Sequence, residues 1–419
     1  MSVNVDTFGN KIDAQMDAIP HAGYAYYIMT KNSKPGIHPR WSSRGGSQGW
    51  ASYFGNPLKN SAPWFVPMTV DTKLEIASMS KTITAAAILK AVAKAHANKV
   101  DELANGLDSL IHPLLPPSWG VGASPFFKKL TIRHLLEHRS GLTVAASAKG
   151  LAESLWENML FAIQTTPTTS PDNLPYSYQN VNYGILRVVL AYIVHTPQSM
   201  NLILKITDSE NFQLSVGATY VTYARDNILA PAGIKDADID DPTSLARYYL
   251  GDDMSVPAVS NYAFLYGANA VTKNGTPNAL LACGGALWKL SAKEYCQFVA
   301  ALSHNGLGLD ASTWANEIKN PKHYIGLNPG IQFGVLGEYF GKPGELVVPT
   351  QTGELGVPRG VEAAWLWFPP APMLDNSRAI VAVLLINSCR SNKNALGMHP
   401  QKILGFAHDL AVLDGIATQ

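Results

Sequence analysis

Strand-like segments lie at the two ends of this chain, and helix-like segments fill its middle. The strand-like runs are residues 22–29, 49–54, 331–336, 363–368 and 379–387. Between about residues 100 and 281 the pattern is mostly helical and is broken by proline and glycine clusters. This order predicts an α+β fold: a mainly antiparallel sheet flanked by helices, built from both ends of the chain, with a mostly helical domain inserted.

The change from one pattern to the other sets the expected domain boundaries. Residues 1–90 and 283–419 should form the sheet domain, and residues 91–282 the inserted helical domain. Within the insert, residues 131–139 have the pattern of a helix for which Gly141 would be the C-terminal cap. A chain of 419 residues with 47% hydrophobic content is large enough for a sizeable core.

The charge of the chain argues against several classes of partner. The formal net charge is +1 and only 15% of residues are charged, so a nucleic-acid partner is not expected. No segment approaches the ~20 consecutive apolar residues that a membrane-spanning helix needs, so a membrane partner is not expected either. The sequence favours a small-molecule substrate and leaves the oligomeric state open.

The cysteines and the N-terminal residues indicate a reducing compartment. Cys283, Cys296 and Cys389 are odd in number and show no C-x-x-C spacing, which favours free buried thiols over a disulfide framework. Residues 1–6 lack the basic region and the apolar run of a signal peptide. A cytoplasmic location is therefore expected.

Ser78 and Lys81 have the spacing of a serine nucleophile and its base. A serine hydroxyl is a poor nucleophile until a base takes its proton. If a helix begins near Ser78, residues three apart lie one turn apart, and the Lys81 amine lies beside the Ser78 oxygen. Apolar neighbours and the positive end of the helix dipole both favour a neutral amine. On its own the pair also fits a capping serine and a solvated lysine.

Tyr178 and Asn180 are candidates for the rest of the site. A serine–lysine pair needs a third group that delivers a proton to the leaving atom. A phenol near cations titrates below its free pKa of about 10, so Tyr178 is expected to shuttle that proton. Asn180 is expected to orient Lys81 or a substrate amide. A core tyrosine at a helix start is the alternative interpretation.

Four segments in order resemble the class C β-lactamase and penicillin-binding-protein-like serine hydrolases, including the family VIII carboxylesterases. Residues 78–82 resemble S-x-S-K-T, and residues 131–142 resemble T-I-R-H-L-L-T-H-T-S-G-L. Residues 176–183 resemble F-x-Y-S-N-x-N-Y, and residues 284–287 resemble A-G-G-L. The resemblance implies a β-lactamase/transpeptidase-like fold with the site in a cleft, and Ser78, Lys81 and Tyr178 as catalytic residues.

The family's third element is K-T-G or H-x-G on a strand beside the site. The best match in this sequence is Gln351-Thr352-Gly353, which has a neutral residue in place of the cation. In β-lactamases that cation helps to hold the substrate carboxylate, so the neutral Gln351 implies a preference for uncharged substrates. The resemblance also implies an oxyanion hole made by the backbone N–H groups of Ser78 and Glu354.

Two further motifs match other chemistries and are rejected. Residues 45–49 fit the G-x-S-x-G nucleophile elbow, but they lie in a Gly/Ser-rich loop rather than between a strand and a helix. His134, Glu137 and His138 fit H-x-x-E-H, a zinc-protease motif. The resemblance accounts for both histidines without a metal. Neither a metal nor another cofactor is expected.

The sequence thus predicts acyl transfer through a covalent intermediate on Ser78. Carboxylic esters with small or medium acyl groups are the expected substrates. The alternatives are a β-lactamase or D-amino-acid peptidase or amidase, an acyltransferase to a small-molecule alcohol, and a non-catalytic binding protein on the same scaffold. Ser78, Lys81 and Tyr178 argue against the last of these.

Overall fold

The structure is a computed structural model, and its strands form one large sheet and one small one. It describes residues 3–19, 23–31, 41–54, 64–98, 106–120, 122–148, 150–165, 170, 174–195, 209–235, 279–305, 307, 325–326, 332–335, 337–352, 358–369, 379–386 and 399–417. The strands are β1 (Gly23–Lys31), β2 (Trp41–Phe54), β3 (Trp64–Pro67), β4 (Leu74–Glu75), β5 (Lys289–Leu290), β6 (Gln332–Gly334), β7 (Gly337–Thr352), β8 (Pro358–Phe368) and β9 (Ile380–Ile386). The large sheet has the order β3-β2-β1-β9-β8-β7-β6, and β4 pairs with β5.

Strands from the two ends of the chain meet at the centre of the large sheet. β1 pairs with β9 in an antiparallel register that places Tyr24 opposite Ile386. The neighbouring pairs are antiparallel as well. This confirms the predicted α+β fold with a mainly antiparallel sheet flanked by helices. The domain boundaries stay a prediction.

Helices cover both faces of the sheet and fill the middle of the chain. They are α1 (Val5–Asp17), α2 (Ser80–Asn98), α3 (Ile132–Leu136), α4 (Trp156–Thr165), α5 (Asn180–Val194), α6 (Ser209–Ala224), α7 (Ala292–Asn305) and α8 (Pro400–Ala417). The first and last helices pack together, and α8 lies against β8 and β9. On the opposite face α7 packs against β1 and β9.

The apolar run of β9 is buried on both faces, as its near-continuous hydrophobic sequence indicates. Because successive side chains of a strand point to opposite faces, the strand divides its residues between two cores. Val381, Val383 and Leu385 join the large core under α7. The intervening Ala382 and Leu384 join the smaller core under α1 and α8.

Helix α2 runs through the large core, which positions the candidate site. Ile83, Ala86, Ala87 and Ile88 are each 0% exposed, in agreement with the largely apolar sequence of this helix. α5 and α6 pack against α2. The N-terminal end of α2 therefore lies between the large sheet and the helical part of the chain.

Two of the three cysteines lie within the described residues. Cys283 and Cys296 are buried free thiols, and Cys389 lies outside the described residues.

Among the described residues, none of the helices combines the length and the apolar content that crossing a membrane requires.

Candidate active site

Ser78 lies in a tight turn that leads directly into α2. The turn, Ala77–Met79, is a 3-10 helix rather than the first turn of the α-helix expected from the sequence. Ala77 has a φ of 47°, a left-handed conformation that side chains other than glycine rarely adopt. Ala77 and Met79 are buried, whereas Ser78 is partly exposed. The turn therefore presents the Ser78 hydroxyl at the surface of a rigid core, and such strain is typical of functional sites.

Lys81 is completely buried and lies one turn from Ser78. Its Nζ is 3.1 Å from Ser78 Oγ, 2.8 Å from Asn180 Oδ1 and 2.7 Å from the carbonyl oxygen of Gly285. Burial lowers the pKa of Lys81 to about 7, although the carboxylates of Glu153 and Glu75 oppose the shift. The amine is therefore poised to exchange a proton near neutral pH.

The hydrogen bonds of Lys81 decide where its lone pair points. A neutral amine has two N–H donors and one lone pair. Asn180 Oδ1 and the Gly285 carbonyl are acceptors, so each takes one N–H. The lone pair is left facing Ser78 Oγ, and the Ser78 O–H then donates to Nζ across the 3.1 Å contact. This is the arrangement of a general base beside its nucleophile.

Tyr178 completes a hydrogen-bonded chain with Ser78. The two hydroxyl oxygens are 2.5 Å apart, and because the Ser78 O–H donates to Lys81, the Tyr178 O–H donates to Ser78 Oγ. Asn180 Oδ1 lies 3.4 Å from the same Tyr178 hydroxyl. Burial raises the pKa of Tyr178, and the nearby Lys342 ammonium and the Ser78 hydrogen bond oppose that rise. The prediction that cations lower this pKa below its free value is therefore wrong, because desolvation outweighs them.

Lys342 is a cation in the site that the sequence interpretation missed. It is 1% exposed, and its Nζ is 5.0 Å from the centroid of the Tyr178 ring. Burial lowers the pKa of Lys342 to about 8. It opens the sequence Lys342-Pro343-Gly344 in β7, and a Cβ on Gly344 would overlap the carbonyl oxygen of Ile76 beside the Ser78 turn. The signal was thus a second K-x-G-type match on the same strand.

The residues that the sequence predicts as the third element follow Lys342 in the chain. Gln351 is in β7, and its side chain is outside the described part of the structure. Gly353 and Glu354 also lie outside the described residues. The β7 side chain that contacts Tyr178 among the described residues is Lys342, a cation, whereas the sequence predicts a neutral residue there.

His138 forms the packing behind Tyr178. The ring centroids are 4.6 Å apart, and His138 Nδ1 accepts the backbone N–H of Gln179 at 3.3 Å. Since a backbone N–H can only donate, the neutral ring carries its proton on Nε2. Burial, with Lys342 and Lys81 nearby, holds the pKa of His138 well below its usual value. His138 is therefore a neutral support for Tyr178.

His134, another member of the H-x-x-E-H match, has a structural contact. His134 Nδ1 accepts the backbone N–H of Thr131 in a capping box at the start of α3. α3 ends at Leu136 instead of continuing to Arg139. Both His138, with a φ of 54°, and Gly141, with a φ of 63°, have a left-handed backbone conformation after the helix end. Among the described residues, no group of three His, Cys, Asp or Glu side chains is arranged to hold a metal.

Comparisons with known proteins agree on the fold. The beta-lactamase family model matches residues 42–404. No curated protein sequence matches the chain. Among solved structures, the octameric penicillin-binding protein homologue from Pyrococcus abyssi is 17% identical with a TM-score of 0.59, covering 98% of this chain and 78% of that one.

Two more solved structures match over nearly their full length. The beta-lactamase/D-alanine carboxypeptidase from Yersinia pestis is 14% identical with a TM-score of 0.56, covering 99% of both chains. The D-amino acid amidase from Ochrobactrum anthropi SV3 is 16% identical with a TM-score of 0.52, covering 98% of this chain and 99% of that one. At such identities the likeness shows a shared fold.

Proposed function

Since the chain belongs to the beta-lactamase family and has its serine-hydrolase fold, we propose that it hydrolyses carboxylic esters of small or medium acyl groups through an acyl-enzyme on Ser78. The observation that carries the proposal is the chain of hydrogen bonds that joins Ser78 to Lys81 and Tyr178. It supplies a nucleophile, a base and a proton donor within contact distance.

The proposed reaction has two acyl-transfer steps. Ser78 Oγ attacks the ester carbonyl while its proton passes to Lys81, and Tyr178 delivers a proton to the leaving alkoxide oxygen. Water then attacks the acyl-enzyme, giving up a proton to the same groups, and the acid leaves as Ser78 is reprotonated. If Lys342-Pro343-Gly344 is the third element, the backbone N–H groups of Ser78 and Glu345 are the candidate oxyanion donors.

The proposed preference for neutral esters follows from the position of Lys342. A neutral third element does not support this preference, because Lys342 brings a cation to the site. Lys342 is, however, buried against the ring of Tyr178 rather than exposed to the cleft. In this position the cation acts on Tyr178, and a substrate carboxylate gains less from it than from an exposed lysine.

A second candidate is an anionic amide or a β-lactam, and Lys342 is the observation that favours it. A lysine beside the phenol supplies a charge-assisted hydrogen bond if it turns toward a substrate carboxylate. Parallel kinetics with p-nitrophenyl esters and nitrocefin separate the two candidates. Faster hydrolysis of nitrocefin than of short-chain esters by the wild type would contradict the ester proposal. Transfer of the acyl group to an added alcohol would indicate an acyltransferase.

We expect Lys342→Met to lower kcat/KM for esters and for nitrocefin by a similar factor, roughly tenfold. The variant removes the positive charge that opposes the raised pKa of Tyr178, so proton transfer suffers whatever the substrate is. The measurement is kcat/KM for p-nitrophenyl acetate and for nitrocefin. A loss confined to nitrocefin and expressed in KM would instead assign Lys342 to carboxylate binding.

We expect kcat/KM to rise with pH through about 7. Lys81 must be neutral to accept the Ser78 proton, and burial lowers its pKa to about 7, so the ammonium form dominates below that pH and the amine above it. The pH profile with p-nitrophenyl acetate tests this expectation. An ascending limb near the ordinary lysine pKa of about 10.4 would show that Lys81 is not the base.

A further inference from the structure

Glu153 is a buried acid that the reaction scheme does not use. It lies in the 3-10 turn Gly150–Ser154 and is 9% exposed. Its Oε2 accepts the backbone N–H groups of Asn180 and Val181 at 2.6 and 3.4 Å. These are the first residues of α5, where the side chain of the N-cap residue Gln179 makes no capping bond. The carboxylate therefore takes the place of a side-chain cap from a separate part of the chain.

Glu153 also contacts the Asn180 side chain. Asn180 Nδ2 donates to Glu153 Oε1 at 3.5 Å and to the Gly150 carbonyl at 3.1 Å. Both partners are acceptors, so the amide nitrogen must lie on their side. Asn180 Oδ1 is then forced to the other side, where it accepts from Lys81 at 2.8 Å. The amide orientation, which a side chain's shape alone does not fix, is set by these two acceptors.

The orientation of the Asn180 amide has a chemical consequence at Lys81. With Oδ1 toward Nζ, the bond uses an N–H of Lys81 and leaves the lone pair for Ser78. With the amide reversed, Nδ2 would donate to the neutral amine and occupy that lone pair, or would oppose the N–H groups of the ammonium. Only the first orientation leaves Lys81 free to act as the base.

We propose that Glu153 is a positioning residue, which holds Asn180 in the orientation that directs the lone pair of Lys81 at Ser78. This inference rests on the proposed function, because it assigns Lys81 the part of the base. Glu153 also contributes charge, since it raises the pKa of Lys81 against the effect of burial. The titratable groups around Lys81 are Glu153, Glu75, Lys342, His138, Tyr178 and Tyr183.

The test is Glu153→Gln, with Glu157→Gln as the matched control. The glutamine oxygen keeps the bond from the Asn180 backbone N–H, so its NH2 group faces Asn180 Nδ2 and two donors oppose each other. We expect kcat for p-nitrophenyl acetate and the rate of fluorophosphonate labelling of Ser78 to fall at least about tenfold, with KM little changed. Glu157 is exposed on α4, and its variant should match the wild type.

Two further readouts test the charge of Glu153 and the route by which it acts, and the second separates positioning from a purely structural cap. Loss of the Glu153 charge should move the ascending limb of the pH profile to lower pH, because one of the groups that raises the pKa of Lys81 is gone. In an Asn180→Ala background, Glu153→Gln should change the labelling rate less than about twofold, because the effect passes through Asn180. A purely structural cap would instead slow labelling by the same factor in both backgrounds, because its effect would not pass through the Asn180 side chain.

The outcomes are distinguishable. If wild-type Ser78 takes no label, the proposed function fails. If the wild type is labelled and Glu153→Gln is labelled equally fast, the positioning inference is overturned and the proposed function stands. Should Glu153→Gln fail to fold, Glu153→Asp replaces it, because the shorter acid keeps its charge and withdraws from Asn180 Nδ2. An unchanged labelling rate in that variant also overturns the inference.

Discussion

Replacing Ser78 by alanine is expected to abolish hydrolysis and covalent labelling together. The Ser78 hydroxyl contacts both Lys81 and Tyr178 and is the proposed nucleophile, so without it no acyl-enzyme forms. Loss of a catalytic serine costs up to about 10⁶-fold in kcat in a well-studied serine protease, so the residual rate should approach background. Intact-mass spectrometry after a fluorophosphonate probe should show one adduct on the wild type and none on Ser78→Ala.

The matched control for this experiment is Ser47→Ala. Ser47 belongs to the G-x-S-x-G match, and the structure places it as an exposed residue within β2, paired with β1, rather than in a turn between a strand and a helix. Its variant should take the label at the wild-type rate. An adduct on Ser47 in place of Ser78 would overturn the assignment of the nucleophile.

Lys81→Ala and Tyr178→Phe are each expected to lower kcat by at least ~10²-fold, which is the usual scale of general acid–base catalysis. Both groups contact Ser78 Oγ and both contact Asn180 Oδ1, so they form one proton-transfer unit. Removing either disables the same step. The double variant should therefore be little slower than the slower single variant.

The control for the tyrosine is Tyr176→Phe. Tyr176 packs edge-on against His138 at 5.6 Å, so its variant makes the same chemical change against the same neighbour. Its kcat should stay close to that of the wild type. Losses that simply multiply in the Lys81→Ala/Tyr178→Phe double variant would show that the two residues act in separate steps.

The fold follows from patterns that are local in the sequence. Residues 379–387 form a nearly continuous apolar run, and such a run is buried on both faces wherever the sheet places it, as in β9. Helix ends depend on single backbone angles and were harder to predict. The helix expected over residues 131–139 stops at Leu136, because the following residues leave the helical conformation and His138 turns left-handed.

Some contacts of the candidate site join residues that are close in the sequence, and others join residues that are far apart in it. Ser78 and Lys81 share one turn of chain, and Tyr178 and Asn180 are neighbours, so spacing alone brings each pair together. Lys342 enters only through the register of β7 against β8, where it lies opposite Trp365. The sequence offers two similar tripeptides, Lys342-Pro343-Gly344 within β7 and Gln351-Thr352-Gly353, of which the first two residues end that strand. Spacing from Ser78 does not show which one lies beside the Ser78 turn.

The carbonyl of Gly285 was missed for a related reason. Residues 284–287 were matched by resemblance, but a main-chain oxygen has no signature in the sequence. Its contact with Lys81 depends on the position of that segment beside α2. Glu153 is one acidic residue among 31 acidic residues, and only the packing of its turn against the start of α5 distinguishes it.

The pairing of β1 with β9 has a consequence for how the protein is made. Tyr24 leaves the ribosome long before Ile386, so β1 cannot pair with β9 until nearly the whole chain has been synthesised. Contacts between such distant residues form slowly, because a long loop must close first. The Ser78 turn also lacks its β7 neighbour until then. Hydrolytic activity should consequently appear only at the end of synthesis, and nascent chains that stop before β9 should stay inactive.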